Sequence, residues 1–287
     1  MGSVAKRLRE NLKEAERRMQ HAVCPIFGID RRDRPQLIGS SVLLRVKEQS
    51  FLVTAAHVLD LNNQSTLHVG GPTELIELGG TSCRVRPPAS GRRDDILDFG
   101  IVDISNTPPE RWSRYRFLTT HDLDVDDVPT VHTLYGFVGF PETRNRPKAR
   151  SLQLSSIACV LVPSPVERYD SLQLNPATHF AGEFDREKQF DPEKGLIIGP
   201  DPHGLSGGGV WRMGLTEEFA NGTNSERLIA IGVEYRESSK DEPLGEVHLW
   251  WAIWLSCRHL VQVPALGELR ATRRPWKPPR GAEEYSR

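Results

Sequence analysis

The sequence is short of cysteine, of net charge and of long apolar runs, and each shortage removes a class of protein. Four cysteines, Cys24, Cys83, Cys159 and Cys257, are scattered through 287 residues with no Cys-x-x-Cys pair. That spacing excludes a disulfide scaffold and a cysteine-based metal site, so the four are expected as reduced, mostly buried thiols. Lys and Arg number 37 against 38 Asp and Glu, a formal charge of -1, which leaves no basic field to gather a nucleic acid. The longest uncharged apolar stretches, Val128 to Pro141 and Leu249 to Cys257, fall short of the roughly 20 residues that a membrane helix needs. Lys6, Arg7, Arg9, Lys13, Arg17 and Arg18 precede any hydrophobic segment. No secretory signal is read there, and a cytoplasmic location is expected.

An apolar fraction of 38% with 26% charged residues is enough to fold most of the chain. Val4 to Met19 carries helix formers and opposed charges at helical spacing, predicting a solvated helix laid against the body. From Pro25 onward, short runs of Val, Ile, Leu, Phe and Thr alternate with Gly, Pro, Asn and Asp, the texture of an all-β sandwich or barrel. The clearest hairpin pairs Ser41 to Val46 with Phe51 to Thr54 across the polar turn Lys47 to Ser50. Further strands are predicted at Phe99 to Ile104, Thr130 to Gly139, Leu152 to Val162, Gly209 to Met213, Leu228 to Tyr235 and Val247 to Ile253. The polar, proline-containing stretch from Val162 to Gly204 reads as long functional loops. Ile253 to Val263 reads as a short closing helix, and Arg270 to Arg287 as a loose tail.

Three short elements can carry chemistry. In Gly204-Leu205-Ser206-Gly207-Gly208 a serine lies between glycines, which permit a tight turn that exposes its hydroxyl and directs backbone N–H groups at a substrate oxygen. Taken alone, such a loop is more often an ordinary turn. Thr54-Ala55-Ala56-His57 ends an apolar strand with a histidine, and a lone histidine there is more often structural than a base. Asp98-Phe99-Gly100-Ile101-Val102 opens a strand with an aspartate, for which Asp94, Asp95 and Asp103 compete. The order His, Asp, Ser in a β-rich chain makes the set much less accidental than any member.

On these residues the sequence resembles the trypsin-like serine peptidase superfamily, in particular its bacterial and intracellular, HtrA-like branch, from Gly39 to about Val263. Gly39-Ser-Ser-Val-Leu-Leu with Phe51 to His57 resembles the hairpin and histidine motif, and Asp98-Phe-Gly-Ile-Val the aspartate motif. Gly139-Phe-Pro141 is similar to an early turn of the second barrel, Gly204-Leu-Ser-Gly-Gly to the nucleophile motif, and Ile229 to Val233 to the strand lining the substrate cleft. The resemblance implies two six-stranded antiparallel β-barrels, with an N-terminal helical segment at 1–22, a first barrel at 23–122 and a second at 123–265. The chain from 266 to 287 is the tail, with no room for a PDZ module.

The resemblance implies a serine endopeptidase, regulated and intracellular, with His57, Asp98 and Ser206 as triad and the N–H groups of Gly204 and Ser206 as oxyanion hole. Tyr235, Arg236 and Glu237 fall beside the cleft. Neither metal nor organic cofactor is required. Its partners are a protein or peptide substrate and a regulatory protein, with no nucleic acid and no membrane. Leu205 stands where secreted digestive relatives have an aspartate, and Gly209 where most relatives have proline. The first predicts an oxyanion loop ordered without a buried new N-terminus.

Two alternatives compete. A non-catalytic sensor or adaptor could keep the same fold. An α/β-hydrolase esterase would use Gly204 to Gly208 as its elbow, with Asp241 and His248 or His259. Against the esterase, Gly207-Gly208-Gly209 is a poor start for the helix such an elbow requires.

Overall fold

The computed structural model describes residues 2–71, 74–92, 95–124, 133–145, 154–191, 194–237 and 249–256. Helix α1 (Gly2–Gln20) precedes two antiparallel β units. The first unit comprises β1 (Val23–Ile29), β2 (Pro35–Val46), β3 (Gln49–Ala55), β4 (His68–Gly70), β5 (Leu75–Glu77), β6 (Ser82–Arg84) and β7 (Phe99–Asp103), in the order β5-β4-β1-β2-β3-β7-β6. Helix α2 (Ala56–Asp60) follows β3 directly. The second unit is a closed barrel of β8 (Thr133–Gly139), β9 (Ile157–Pro163), β10 (His179–Asp185), β13 (Gly209–Leu215), β14 (Arg227–Glu237) and β15 (Leu249–Ser256), ordered β10-β15-β14-β13-β8-β9. A separate hairpin of β11 (Gln189–Asp191) and β12 (Gly195–Ile197) lies between β10 and β13 in the chain.

The all-β, two-unit antiparallel architecture with its N-terminal helix is the expected one. The details differ in three places. Among the described residues the first unit has seven strands in open order rather than six in a closed barrel. The span from Val162 to Gly204, expected as loops, holds β10, the β11–β12 hairpin and helix α3 (Glu167–Ser171). Of the expected closing helix, Ile253 to Ser256 belongs to β15, and the remainder lies outside the described residues, as does the tail. The antiparallel ladders, and a strand rather than a helix directly after the serine turn, also exclude the α/β-hydrolase reading. Its Asp241, His248 and His259 lie outside the described residues.

The predicted β2–β3 hairpin is present but tighter than its polarity suggested. Val46 pairs with Gln49 and Arg45 with Ser50, so only Lys47 and Glu48 turn, with Lys47 at φ +54°. Polar side chains at an exposed hairpin end do not prevent their backbone from pairing.

The largest apolar cluster lies between the units. Val42, Leu44, Phe51 and Val53 of the first meet Val138, Trp211, Met213 and Leu228 of the second, together with Ala15 and Met19 of α1. Asn11 Nδ2 donates to the Phe219 carbonyl at 2.6 Å, and Arg18 forms a two-pronged ion pair with Glu226, its Nη2 2.7 Å from Oε1. Helix α1 thus buries one face against both units. Among the described residues no helix is long and apolar enough to cross a membrane.

Candidate active site

Strand β3 brings Phe51 to Ala55 into the core, and α2 begins at once, turning His57 out of the sheet. Gly100 on β7 makes this close turn feasible. A Cβ there would sit 2.6 Å from Leu59 Cδ1 and 3.4 Å from Ala56 Cα, so a side chain would have to displace the end of Leu59 where α2 packs on the strand that follows Asp98.

Asp98 engages the histidine residue twice. Its Oδ1 accepts from the His57 backbone N–H at 2.9 Å, and its Oδ2 lies 2.5 Å from His57 Nδ1. The Asp98 carbonyl also accepts from the Ala56 N–H at 2.9 Å. A carboxylate only accepts, so Nδ1 carries a proton, and in the neutral ring Nε2 keeps its lone pair for another group. The acid side chain is 14% exposed and the imidazole 40%, shielding the orienting contact while leaving the base accessible. Asp98 has φ +21°, a sparsely populated conformation that needs support from its surroundings.

The competing aspartates have other partners. Asp95 is paired with Arg92 and accepts the Leu97 N–H at 3.1 Å, and Asp103 accepts the Ser105 N–H at 3.0 Å. Asp94 lies outside the described residues.

Ser206 lies in a turn built by shape. Gly204 and Gly207 have φ +89° and +86°. A Cβ on Gly207 would lie 2.0 Å from the Ser40 carbonyl oxygen and 2.1 Å from Thr54 Oγ1. The turn is thereby seated against β2 and β3, at a point three residues before His57. Ser40 fastens it: its N–H donates to the Ser206 carbonyl at 2.7 Å, and its hydroxyl donates to the Gly204 carbonyl at 3.0 Å while accepting the Phe140 N–H at 2.8 Å. Thr54 Oγ1 donates to the Ser40 carbonyl at 2.7 Å. Leu205 is 2% exposed and packs among Tyr135, Phe137, Phe180 and Ile229 in the second barrel.

Among the described residues, the N–H groups of Gly204 and Ser206 make no hydrogen bond, and none joins the Ser206 hydroxyl to the His57 ring. Tyr235, Arg236 and Glu237 continue β14, opposite Ala252, Trp251 and Trp250 of β15. The structure therefore pairs His57 with Asp98 and seats the Ser206 turn against β2 and against β3, the strand that leads to His57.

In the sequence, Ser40 and Gly100 stand only inside longer motifs, and no motif of its own marks either as part of a site. Two adjacent serines, Ser40 and Ser41, within a buried apolar strand were the available signal, since buried hydroxyls need partners. Cys24 and Cys159 are buried, Cys83 is exposed, and Cys257 lies outside the described residues.

The fold is similar to that of two solved structures. One is neuropsin, a serine protease expressed in the limbic system of mouse brain, at 12% identity and TM-score 0.49, covering 85% of this chain and 92% of that one. The other is GrC, at 12% identity and TM-score 0.47 with the same coverages. No family model and no curated protein matches the chain.

Proposed function

We propose that the protein is a serine endopeptidase of the trypsin-like kind, acting on peptide bonds through an acyl-serine. The observation that carries this reading is the Asp98 carboxylate held on both the backbone N–H and Nδ1 of His57, with the Ser206 turn packed against Thr54, three residues before that histidine in the chain. The resemblance of the motifs to the intracellular, HtrA-like branch supports the same reading.

A serine hydroxyl is a weak nucleophile near neutral pH. His57 Nε2 accepts its proton as Oγ bonds to the scissile carbonyl carbon, and Asp98 stabilises the imidazolium that results. The carbonyl oxygen becomes an oxyanion, for which the unbonded N–H groups of Gly204 and Ser206 are the donors. His57 then protonates the leaving amine and the C–N bond breaks. A water molecule, deprotonated by the same nitrogen, releases the acid and restores Ser206. Burial of Leu205 orders the oxyanion turn by apolar packing, so activity does not await a newly cleaved N-terminus. Protein with an N-terminal tag should be as active as untagged protein.

A second reading, the non-catalytic adaptor, is favoured by one observation: the Ser206 hydroxyl is not bonded to His57 in the resting chain. Catalytic hydrogen bonds often tighten only with substrate bound. Cleavage of a diverse peptide library by the purified protein, absent in Ser206→Ala, supports the endopeptidase. An intact library after incubation with well-folded protein supports the adaptor.

A further inference from the structure

The acid of the site sits on a loop anchored from both β units, and the anchor from the second is a buried histidine that the mechanism does not use. His179 opens β10, is 4% exposed, and has Nε2 3.0 Å from the carbonyl oxygen of Ile96, two residues before Asp98. Its Nδ1 lies 2.7 Å from Thr178 Oγ1 and 3.2 Å from the Asn175 carbonyl oxygen. A carbonyl only accepts, so the Ile96 contact is a hydrogen bond when Nε2 carries a proton. In the neutral ring Nδ1 then accepts from the Thr178 hydroxyl, and in the charged ring it donates to Asn175. The bond to Ile96 is made in both of these states.

From the first unit, Arg92 holds the same loop. Its Nε lies 2.7 Å from Asp60 Oδ2, at the end of α2, and its Nη1 pairs with the buried Asp95. Arg84 Nε adds a contact to Asp60 Oδ1 at 3.0 Å. The loop is thus tied to the helix that carries His57 on one side and to the serine-bearing barrel on the other. Between these ties Asp98 adopts its φ of +21°, a conformation that persists where surroundings over-determine it.

We propose that His179 is a positioning residue for the acid of the site: its Nε2–H, bonded to the Ile96 carbonyl, makes the geometry of the His57–Asp98 pair depend on docking of the second barrel. The catalytic part of this inference rests on the endopeptidase reading, whereas the geometric part does not. With the tie broken, Asp98 shifts relative to Nδ1. The cost falls on kcat rather than KM, because Asp98 orients the base and does not bind substrate. An ångström of misplacement costs about 10²-fold.

The test compares wild type, His179→Leu and His179→Gln, whose amide N–H reproduces the Nε2 donor. Two readouts are needed: the far-downfield proton resonance of the His57 Nδ1–H···carboxylate bond, and kcat and KM on one peptide. The expected result is that His179→Leu weakens or loses the resonance and lowers kcat about tenfold or more with KM little changed, while His179→Gln restores both. A resonance and kcat in folded His179→Leu equal to wild type would overturn the proposal, as would equal impairment of the two variants. Should His179→Leu fail to fold, nitrogen-15 spectra of the wild-type imidazoles decide. A proton on His179 Nε2 supports the tie, and one on Nδ1 alone contradicts it. The resonances are read without turnover, so a wild type that shows the His57–Asp98 proton but cleaves nothing overturns the endopeptidase reading and leaves the positioning role testable.

Discussion

The two halves of the site differ in how far close packing, beside hydrogen bonds, shapes them. On the histidine side, directional hydrogen bonds do the work: one carboxylate meets two groups of one residue, and ion pairs and His179 hold its loop. On the serine side, among the described residues no hydrogen bond joins the hydroxyl to His57, and the turn, fastened by Ser40, is shaped by fit, with two left-handed glycines, a Gly207 site too tight for a Cβ, and a buried leucine. Each half tolerates different changes. Hydrogen-bonded groups are sensitive to changes of chemical type, whereas a shape-built turn is sensitive to added or lost volume.

The largest effects should come from removing chemistry. Ser206→Ala or His57→Ala is expected to lower peptide turnover by roughly 10⁴ to 10⁶, with the double variant little worse than either single one in the same assay. Asp98→Asn should lower it by about 10⁴ through the wrong imidazole tautomer. Asp103→Asn should stay near wild type, and the reverse pattern would reassign the acid.

Volume comes next. Gly207→Ala should cost about 10² or more in kcat, since its methyl must displace the Ser40 carbonyl and Thr54, while the downfield His57 proton stays in place. Loss of both together would show that the two halves are not separate in origin. Leu205→Ala should destabilise the fold by about 2–5 kcal/mol in chemical denaturation, with a smaller loss of turnover.

The smallest effect concerns the thiols. Burial pushes both Cys24 and Cys159 up to about 12, so an alkylating reagent at pH 8 should modify exposed Cys83 in the native protein and reach those two only after unfolding. The unfolded thiols ionise near 8.5. Stability from these two sites is therefore full below about pH 8.5 and falls as pH rises toward about 12, visible as a lower denaturation midpoint at pH 10 than at pH 8.

What the sequence showed follows the same division. His57 and Asp98 were legible because each lies at the end of a short, strongly apolar strand, and local pattern marks such positions. The serine turn was legible from its glycines. Strand β10 was not, because His-Phe-Ala-Gly-Glu-Phe-Asp mixes a glycine and charges into its apolar positions, and its place is set by the full ladder with β15 and a shorter one with β9. The contacts of Ser40, Arg92 and His179 were invisible for a related reason. Each bonds a residue distant in the chain or held by tertiary structure, and no local pattern encodes such a partner.

The central claim is that Ser206 is a nucleophile activated by the pair that the first unit assembles. Intact-mass analysis after treatment with a fluorophosphonate probe tests it most directly. The account predicts one adduct per chain, mapped to the peptide containing Ser206 and lost in His57→Ala as well as in Ser206→Ala. Folded wild-type protein that remains unmodified, or an adduct on another residue that persists in Ser206→Ala, would contradict it.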